Sequence, residues 1–255
     1  MPAKIGAESA VRSNPDGHAI LVADSSLALL SMMSSTPLRF DVLRDLEPLT
    51  RATVSPIVVA AANSAPFSTP QEMIAWAKAN PGKLSVAITP GMASVTRLAF
   101  EKLKAENNFF AVPIPYAGSP AAVQAVLAND VPVVMTELNS VIPQARAGRV
   151  KVLGLLTSKR SRGEPSYATF AEAGLPKFYV DPWIGFFVPR GTPKDVSAFL
   201  STTIREIIQM PDVEAALVGV GYEPIATSAQ EASAYLANDV EYWRKLIKER
   251  KLKFD

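Results

Sequence analysis

The chain contains no cysteine and a single histidine, His18, among its 255 residues. Without thiols it forms no disulfide, presents no thiolate nucleophile and builds no cysteine-based metal site. One histidine cannot supply a histidine-rich metal centre, and a Pro-Asp-Gly turn precedes His18. We therefore expect no bound metal and no cofactor. The missing cysteines are compatible with an oxidising compartment but do not place the protein in one.

Excess charge of one sign and long apolar runs are lacking too. The 26 basic residues nearly balance the 24 acidic ones, and the formal charge of +2 gives no indication of a nucleic-acid partner. No run of 18 or more apolar residues occurs, so the sequence predicts no membrane span. The first residues, MPAKIG, lack the apolar segment of a signal peptide.

Motifs for catalysis are equally scarce. Ser94 follows a glycine-containing turn, but residues 91–94 (GMAS) do not fit the G-x-S-x-G elbow, and His18 is the only ordinary base. The sequence shows no paired-carboxylate motif and no phosphate or dinucleotide fingerprint. We therefore predict that the protein is not an enzyme.

Strand and helix patterns alternate along the chain. Residues 84–88 form a short apolar strand, residues 89–94 a turn, and an amphipathic helix follows. Capping boxes begin two further helices, at Thr69 and at Ser228. This alternation predicts an α/β protein with mostly parallel sheets.

Two other helices are predicted from local signals. Thr169 is expected to cap a short helix that ends at Gly174. A strongly amphipathic helix is expected after Pro193. The residues expected on its inward face are Val196, Phe199, Leu200, Ile204, Ile207 and Ile208.

Four strand-to-helix connections share one composition: they are rich in small hydroxyl residues and glycine, and poor in charge. They are residues 24–26 (DSS), 89–94 (TPGMAS), 116–119 (YAGS) and 136–140 (TELNS). In parallel sheets, ligands bind outside the carboxyl ends of strands, where helices begin. Backbone N–H groups and the helix dipole hold an anion there without a charged side chain. The four connections therefore predict a small anionic or polar ligand.

Six short motifs occur in this order along the chain: 14–17 (NPDG), 77–84 (AKANPGKL), 115–118 (PYAG), 157–161 (TSKRS), 172–176 (EAGLP) and 183–193 (WIGFFVPRGTP). In this order they resemble motifs of the Bug-type solute receptors of tripartite tricarboxylate transport systems. Each is weak by itself, but together they extend over nearly the whole chain.

The resemblance implies a type 2 periplasmic-binding-protein-like fold, in which two α/β lobes of mostly parallel sheet flanked by helices enclose a cleft. Lobe one is expected at residues 1–88 and 186–255, and lobe two at residues 89–185. The first β-α-β unit of the family, about 30 residues, has no counterpart, so we expect an incomplete lobe one.

The function implied is that of a periplasmic receptor. Such a protein captures a small carboxylate in the interlobe cleft and delivers it to the membrane permease subunits of a tripartite tricarboxylate transporter. The ligand-binding residues that the resemblance implies are Thr89, Gly91, Ser94, Tyr116, Gly118, Thr136, Ser140, Asp24, Ser25 and Ser26.

Several alternatives remain open. Arg97 stands where the family has histidine, and it either contacts a carboxylate or faces solvent on its helix. Trp183 either stacks on a ligand or packs between lobes. The alternative function is that of a truncated paralogue that binds partners instead of solutes and forms a homodimer through an exposed lobe-one sheet edge.

Overall fold

The computed structural model describes residues 2–33, 38–89, 95–175 and 180–250. The helices in these ranges are α1 (Pro2–Arg12), α2 (Ser26–Met33), α3 (Val42–Asp45), α4 (Pro70–Ala79), α5 (Val95–Asn107), α6 (Ser119–Leu127), α7 (Leu138–Arg146), α8 (Lys194–Ile208), α9 (Pro211–Gly219) and α10 (Ala229–Arg250). The strands are β1 (Leu21–Asp24), β2 (Leu46–Val54), β3 (Ile57–Ala62), β4 (Ser85–Ile88), β5 (Val112–Pro115), β6 (Val133–Glu137), β7 (Val150–Leu155), β8 (Trp183–Pro189) and β9 (Glu223–Pro224).

The chain folds into two compact units. It passes from the first unit to the second after Val54 and returns after Pro182, and the segment Leu217–Glu223 also belongs to the second unit. The sequence assigned residues 55–88 to lobe one, whereas the structure places them in the second unit. The reason is strand pairing, because β3 pairs with β6 and β7 while β4 pairs with β5 and β6. Likewise, residues 183–185 join the first unit because β8 pairs with β1 and β2 from its first residue.

Each unit contains one sheet. The first unit has the strand order β1-β8-β2-β9, with β8 antiparallel to both β1 and β2. The second has the order β5-β4-β6-β3-β7, in which β4 is parallel to β5 and β6 but β3 runs antiparallel to β6 and β7. The α/β class is therefore confirmed, while the prediction of mostly parallel sheets is wrong. β3 and β8 begin after the two main changes of unit, and each is antiparallel to both of its neighbours.

The sheet of the second unit is buried on both faces. On one face, Val58, Val134 and Ala87 belong to an apolar cluster that also contains residues of α6 and α7. On the other face, Val59 and Met135 lie against Phe100 of α5. Because this sheet is sandwiched, its polar groups can reach a ligand only where the strands end.

The capping boxes were predicted with mixed success. The Thr69 hydroxyl accepts a hydrogen bond from the Glu72 N–H at 3.2 Å, and Ser228 exchanges the two expected bonds with Glu231. Both helices are confirmed. At Thr169 the same bonds form with Glu172, but residues 170–174 are a turn, so the predicted short helix is wrong.

The buried face of α8 was predicted only in part, since Ile208 is buried as expected but other residues are not. Ser197, Ser201 and Ile208 are buried, whereas Phe199 is 67% exposed and Ile207 48% exposed. The Ser201 hydroxyl donates to the Leu49 carbonyl oxygen at 2.6 Å. This helix therefore lies against the backbone of β2, where a serine fits and a large apolar side chain does not.

A buried carboxylate ties α10 to the start of β8. The indole N–H of Trp183 donates to Asp239 at 2.8 Å, and Trp183 is only 2% exposed. Burial raises the pKa of Asp239 to about 6, against the opposing effects of Trp183, Trp243 and Arg51. Trp183 is thus a packing residue inside the first unit, where Asp239 fixes its orientation.

Candidate functional site

The carboxyl ends of three parallel strands are aligned in the second unit. Ile88 of β4 lies opposite Pro115 of β5 and Met135 of β6. The next residue on each strand path is Thr89, Tyr116 or Thr136, and the Tyr116 N–H donates to the Ile88 carbonyl oxygen at 3.0 Å. The structure therefore brings three of the predicted site residues to one edge of the sheet. We call the edge formed by Thr89, Tyr116 and Thr136 the carboxyl edge.

Thr136 is the most unusual residue of the carboxyl edge. It lies opposite Val58 and two residues after Val134, so its side chain is on the face that α6 and α7 cover. It has no exposed surface, and its Oγ1 has no hydrogen-bond partner in the described part of the chain. An unsatisfied buried hydroxyl costs roughly 1–3 kcal/mol. A polar ligand that reaches the end of β6 would satisfy this hydroxyl group.

Two helices begin next to Thr136. Gly118, predicted as a ligand residue, is the N-cap residue of α6, with φ +151° and ψ 173°, a conformation that favours glycine. Ser119 is the first residue of the helix. α7 begins directly after β6, with Glu137 at its N-cap. The N-terminal end of α6 carries partial positive charge, which favours a bound anion.

Hydrogen-bonded polar side chains extend from the first turn of α7. The Ser140 hydroxyl donates to Asn139 Oδ1 at 3.3 Å, and Asn139 Nδ2 donates to the Tyr222 hydroxyl at 3.0 Å. Burial raises the pKa of Tyr222, and the charge of Glu137 acts in the same direction. The sequence did not identify Tyr222, because it is 83 positions away from Asn139 and no local pattern connects them.

The remaining predicted residues divide into two groups. Gly91 and Ser94 lie outside the described residues, so their predicted role stays a prediction. Asp24, Ser25 and Ser26 belong to the first unit. They form the turn between β1 and α2, where Asp24 Oδ1 accepts from the Ser26 N–H at 2.8 Å.

Ser25 has a structural task in that turn. It is 3% exposed, its N–H donates to the Trp183 carbonyl oxygen at 2.9 Å, and its hydroxyl accepts from the Trp183 N–H at 3.2 Å. These two bonds attach the turn to the first residue of β8. The hydroxyl group of Ser25 is therefore engaged in holding the fold of the first unit.

Arg97 is paired within its own helix. Its Nη2 lies 2.9 Å from Glu101 Oε1, and Glu101 also lies 2.8 Å from Lys104 Nζ. This arrangement favours the interpretation of Arg97 as a residue of the helix surface.

The described residues form neither a candidate metal site nor a candidate membrane-spanning helix. Within them, no three or more His, Cys, Asp or Glu side chains form a group that could hold a metal ion. None of their helices combines the length and the apolar character needed to cross a membrane.

Two α/β units with a polar strand edge in the second are typical of periplasmic-binding folds, and the comparison with known proteins gives the family. The chain belongs to the tripartite tricarboxylate transporter family of receptors, whose model matches residues 3–252. The resemblance predicted from the six motifs is therefore confirmed. The family is one of receptors and not of enzymes.

Curated relatives are similar over most of this chain. Protein BugT of Bordetella pertussis is 29% identical over 96% of the chain and 75% of the relative. A UPF0065 protein from the tcbD-tcbE intergenic region of Pseudomonas sp. (strain P51) is 32% identical over 97% of the chain and 74% of the relative. The chain thus spans about three quarters of the length of these relatives.

Solved structures share the fold. A periplasmic transporter superposes with a TM-score of 0.86 at 27% identity, covering 99% of this chain and 84% of the other. Rpa4515 of R. palustris with adipate gives 0.86 at 22% identity, covering 96% and 82%. MatC of Rhodopseudomonas palustris with bound malate gives 0.81 at 24% identity, covering 96% and 84%. The periplasmic-binding type of fold is therefore confirmed.

Proposed function

We propose that this protein is a periplasmic receptor that captures a small carboxylate at the carboxyl edge. The observation that carries the proposal is the buried, unpartnered hydroxyl of Thr136, which lies where β4 and β6 end and α7 begins. Structures of the same fold hold adipate and malate, which supports dicarboxylates as the first ligands to test.

The chemistry of the carboxyl edge suits neutral recognition of an anion. Thr89, Tyr116 and Thr136 each carry a hydroxyl group, and the N-terminus of α6 adds a dipole of the right sign. A carboxylate accepts such hydrogen bonds strongly, because charge-assisted bonds are about twice as strong as neutral ones. Binding of this kind leaves the ligand chemically unchanged, as a receptor requires.

The partners follow from the family. We propose that the receptor delivers its ligand to the membrane permease subunits of a tripartite tricarboxylate transporter. The prediction that the ligand lies in a cleft between two lobes, with Asp24, Ser25 and Ser26 contributing from the first, stays a prediction.

Calorimetric titration tests the proposed ligand class. Adipate, succinate and malate are titrated into the protein, with the corresponding diamides as matched neutral controls. We expect at least one acid to bind while its diamide does not, because the site stabilises negative charge. If the protein is folded and no acid releases or absorbs heat on titration, the proposal is contradicted.

Arg97→Ala is expected to leave the affinity for such an acid within about twofold. The side chain is paired with Glu101 on α5, so only a surface ion pair worth less than about 1 kcal/mol is lost. Calorimetry and urea unfolding measure the two effects. A tenfold loss of affinity would place the guanidinium group in the site instead.

A second candidate function, homodimer formation, rests on β1. This strand forms one edge of its sheet, and Val22 is 56% exposed. Exposed apolar edge strands pair readily with a second copy. We expect sedimentation velocity to show a dimer that increases with concentration and that Val22→Lys abolishes, since a charged edge residue opposes strand addition. A wild-type protein that stays monomeric at high concentration would refute this candidate.

A further inference from the structure

We infer that Tyr222 determines ligand specificity, by donating its hydroxyl proton to a second oxygen group of the ligand. The inference rests on the proposed function and extends it. With this donor, the receptor binds acids that carry a second oxygen acceptor more tightly than simple monocarboxylates. Four observations carry it, namely the anchoring of the residue, the direction of its hydrogen bond, its protonation state and its contact with Asn139, three residues after Thr136.

Tyr222 is anchored to the beginning of α7 through its neighbour. Gly221 has φ +90°, and a Cβ atom added there would lie 2.6 Å from Ile142 Cδ1 and 3.4 Å from the Asn139 nitrogen. The left-handed backbone conformation disfavours a side chain at position 221, and the Ile142 δ-methyl group would have to move to admit one. This close approach fixes the next residue, Tyr222, against the first turn of α7.

The hydrogen bond to Asn139 leaves the proton of Tyr222 available. Asn139 Nδ2 donates to the Tyr222 hydroxyl oxygen, which therefore acts as an acceptor in this bond. The orientation of the amide is supported on its other side, because Asn139 Oδ1 accepts from the Ser140 hydroxyl. A phenol that already accepts one bond can donate its own proton to a further acceptor. The Asn139 amide thus directs Tyr222 to act as a donor.

The phenol keeps that proton at physiological pH. Burial raises the pKa of Tyr222, and the negative charge of Glu137 raises it further, while the bond from Asn139 lowers it. The negative charge of Glu137 therefore opposes formation of a phenolate. Tyr222 consequently offers a neutral O–H donor.

The position of Tyr222 determines which part of a ligand its hydroxyl group can contact. Its partner Asn139 is three residues after Thr136, and Glu137 lies between them, at the end of β6. A ligand whose first carboxylate binds at the carboxyl edge can therefore place a second oxygen near Tyr222. A monocarboxylate supplies no acceptor there.

Two series of acids test the inference. The first consists of butyrate, succinamate and succinate, and the second of hexanoate, adipic acid monoamide and adipate. In the wild-type protein we expect the acids with a second oxygen to bind about tenfold or more tightly than the monocarboxylate of the same length. Tyr222→Phe should remove that advantage and leave monocarboxylate affinity unchanged.

Tyr167→Phe is the matched control, because Tyr167 is also a partly buried tyrosine of the second unit whose pKa burial raises. It should keep the preference. If Tyr222→Phe does not fold, Asn139→Ala should weaken the same preference. The inference alone is overturned if the wild-type protein binds these acids and Tyr222→Phe retains the advantage. If the wild-type protein binds none of the six acids, the proposed function falls and the inference with it.

Discussion

Thr136→Val is expected to weaken carboxylate binding at least tenfold while making the free protein more stable by about 1 kcal/mol. Both effects have one cause. The Thr136 hydroxyl is buried without a partner in the described residues, so replacing it by a methyl group of similar size removes an unsatisfied polar group. The same replacement removes a donor that a bound carboxylate would use. Calorimetry measures the affinity, and urea unfolding measures the stability.

Thr53→Val provides the matched control. Thr53 is also buried, 5% exposed, and its Oγ1 also has no partner within the described ranges, but it lies on β2 of the first unit. It should raise stability to a similar extent and leave affinity unchanged. If Thr136→Val bound ligand as tightly as the wild type, the hydroxyl of Thr136 would have no part in the site.

The stability of the first unit is expected to decrease as the pH rises from 5 to 7.5. Burial raises the pKa of Asp239 from its ordinary 3.8 to about 6. Between these values the folded protein binds a proton that the unfolded chain has released. The stabilisation from this group is therefore complete below pH 4 and is lost as the pH rises through 6. At about 1.4 kcal/mol per pH unit, the whole loss is on the order of 3 kcal/mol, and about half of it falls between pH 5 and 7.5.

Tryptophan fluorescence in urea measures this effect, because two of the three tryptophans, Trp183 and Trp243, act on Asp239 itself. Asp239→Asn should remove the dependence between pH 5 and 7.5 while keeping an acceptor for the Trp183 N–H. Asp45→Asn is the control. Its ion pair with Arg44 and a backbone hydrogen bond lower the pKa of Asp45 to about 2, so Asp45 is fully ionised in this range. A wild-type stability that stays constant from pH 5 to 7.5 would show that Asp239 titrates normally.

Local signals allowed much of the fold to be predicted. The helices that begin at Thr69 and Ser228 are determined by hydrogen bonds within four residues, and the sequence alone shows both partners. Thr169 makes the same bonds with Glu172, yet the chain there forms only a turn. A cap can fix the first turn of a helix, but continuation of the helix depends on packing that a cap does not determine.

Errors arose where distant segments decide the outcome. The amphipathic pattern of α8 placed Phe199 and Ile207 inside, but the helix lies close to the backbone of β2, which the pattern cannot reveal. The predicted boundary at residue 88 differs from the observed one. The sequence shows that residues 55–56 separate two strands, but it does not show that the second strand pairs in the other unit.

The candidate site shows the same division. Thr89, Tyr116 and Thr136 were predicted because each follows a strand, and parallel pairing places such residues at one edge. The missing partner of the Thr136 hydroxyl could not be foreseen, since it depends on what surrounds the side chain. Tyr222 carried no local signal, and only the fold brings it to Asn139.

Amide chemical shifts of the ¹⁵N-labelled protein, recorded while adipate is added, test the central claim most directly. If neutral groups at the carboxyl edge hold the acid, the largest changes occur at Thr89 and at residues 116–119 and 136–140. At the opposite edge of this sheet, where β3 ends and β6 and β7 begin, Asn63, Asn129 and Arg149 line a polar groove. Changes confined to that groove, with Thr89, Tyr116 and Thr136 unaffected, would contradict the account.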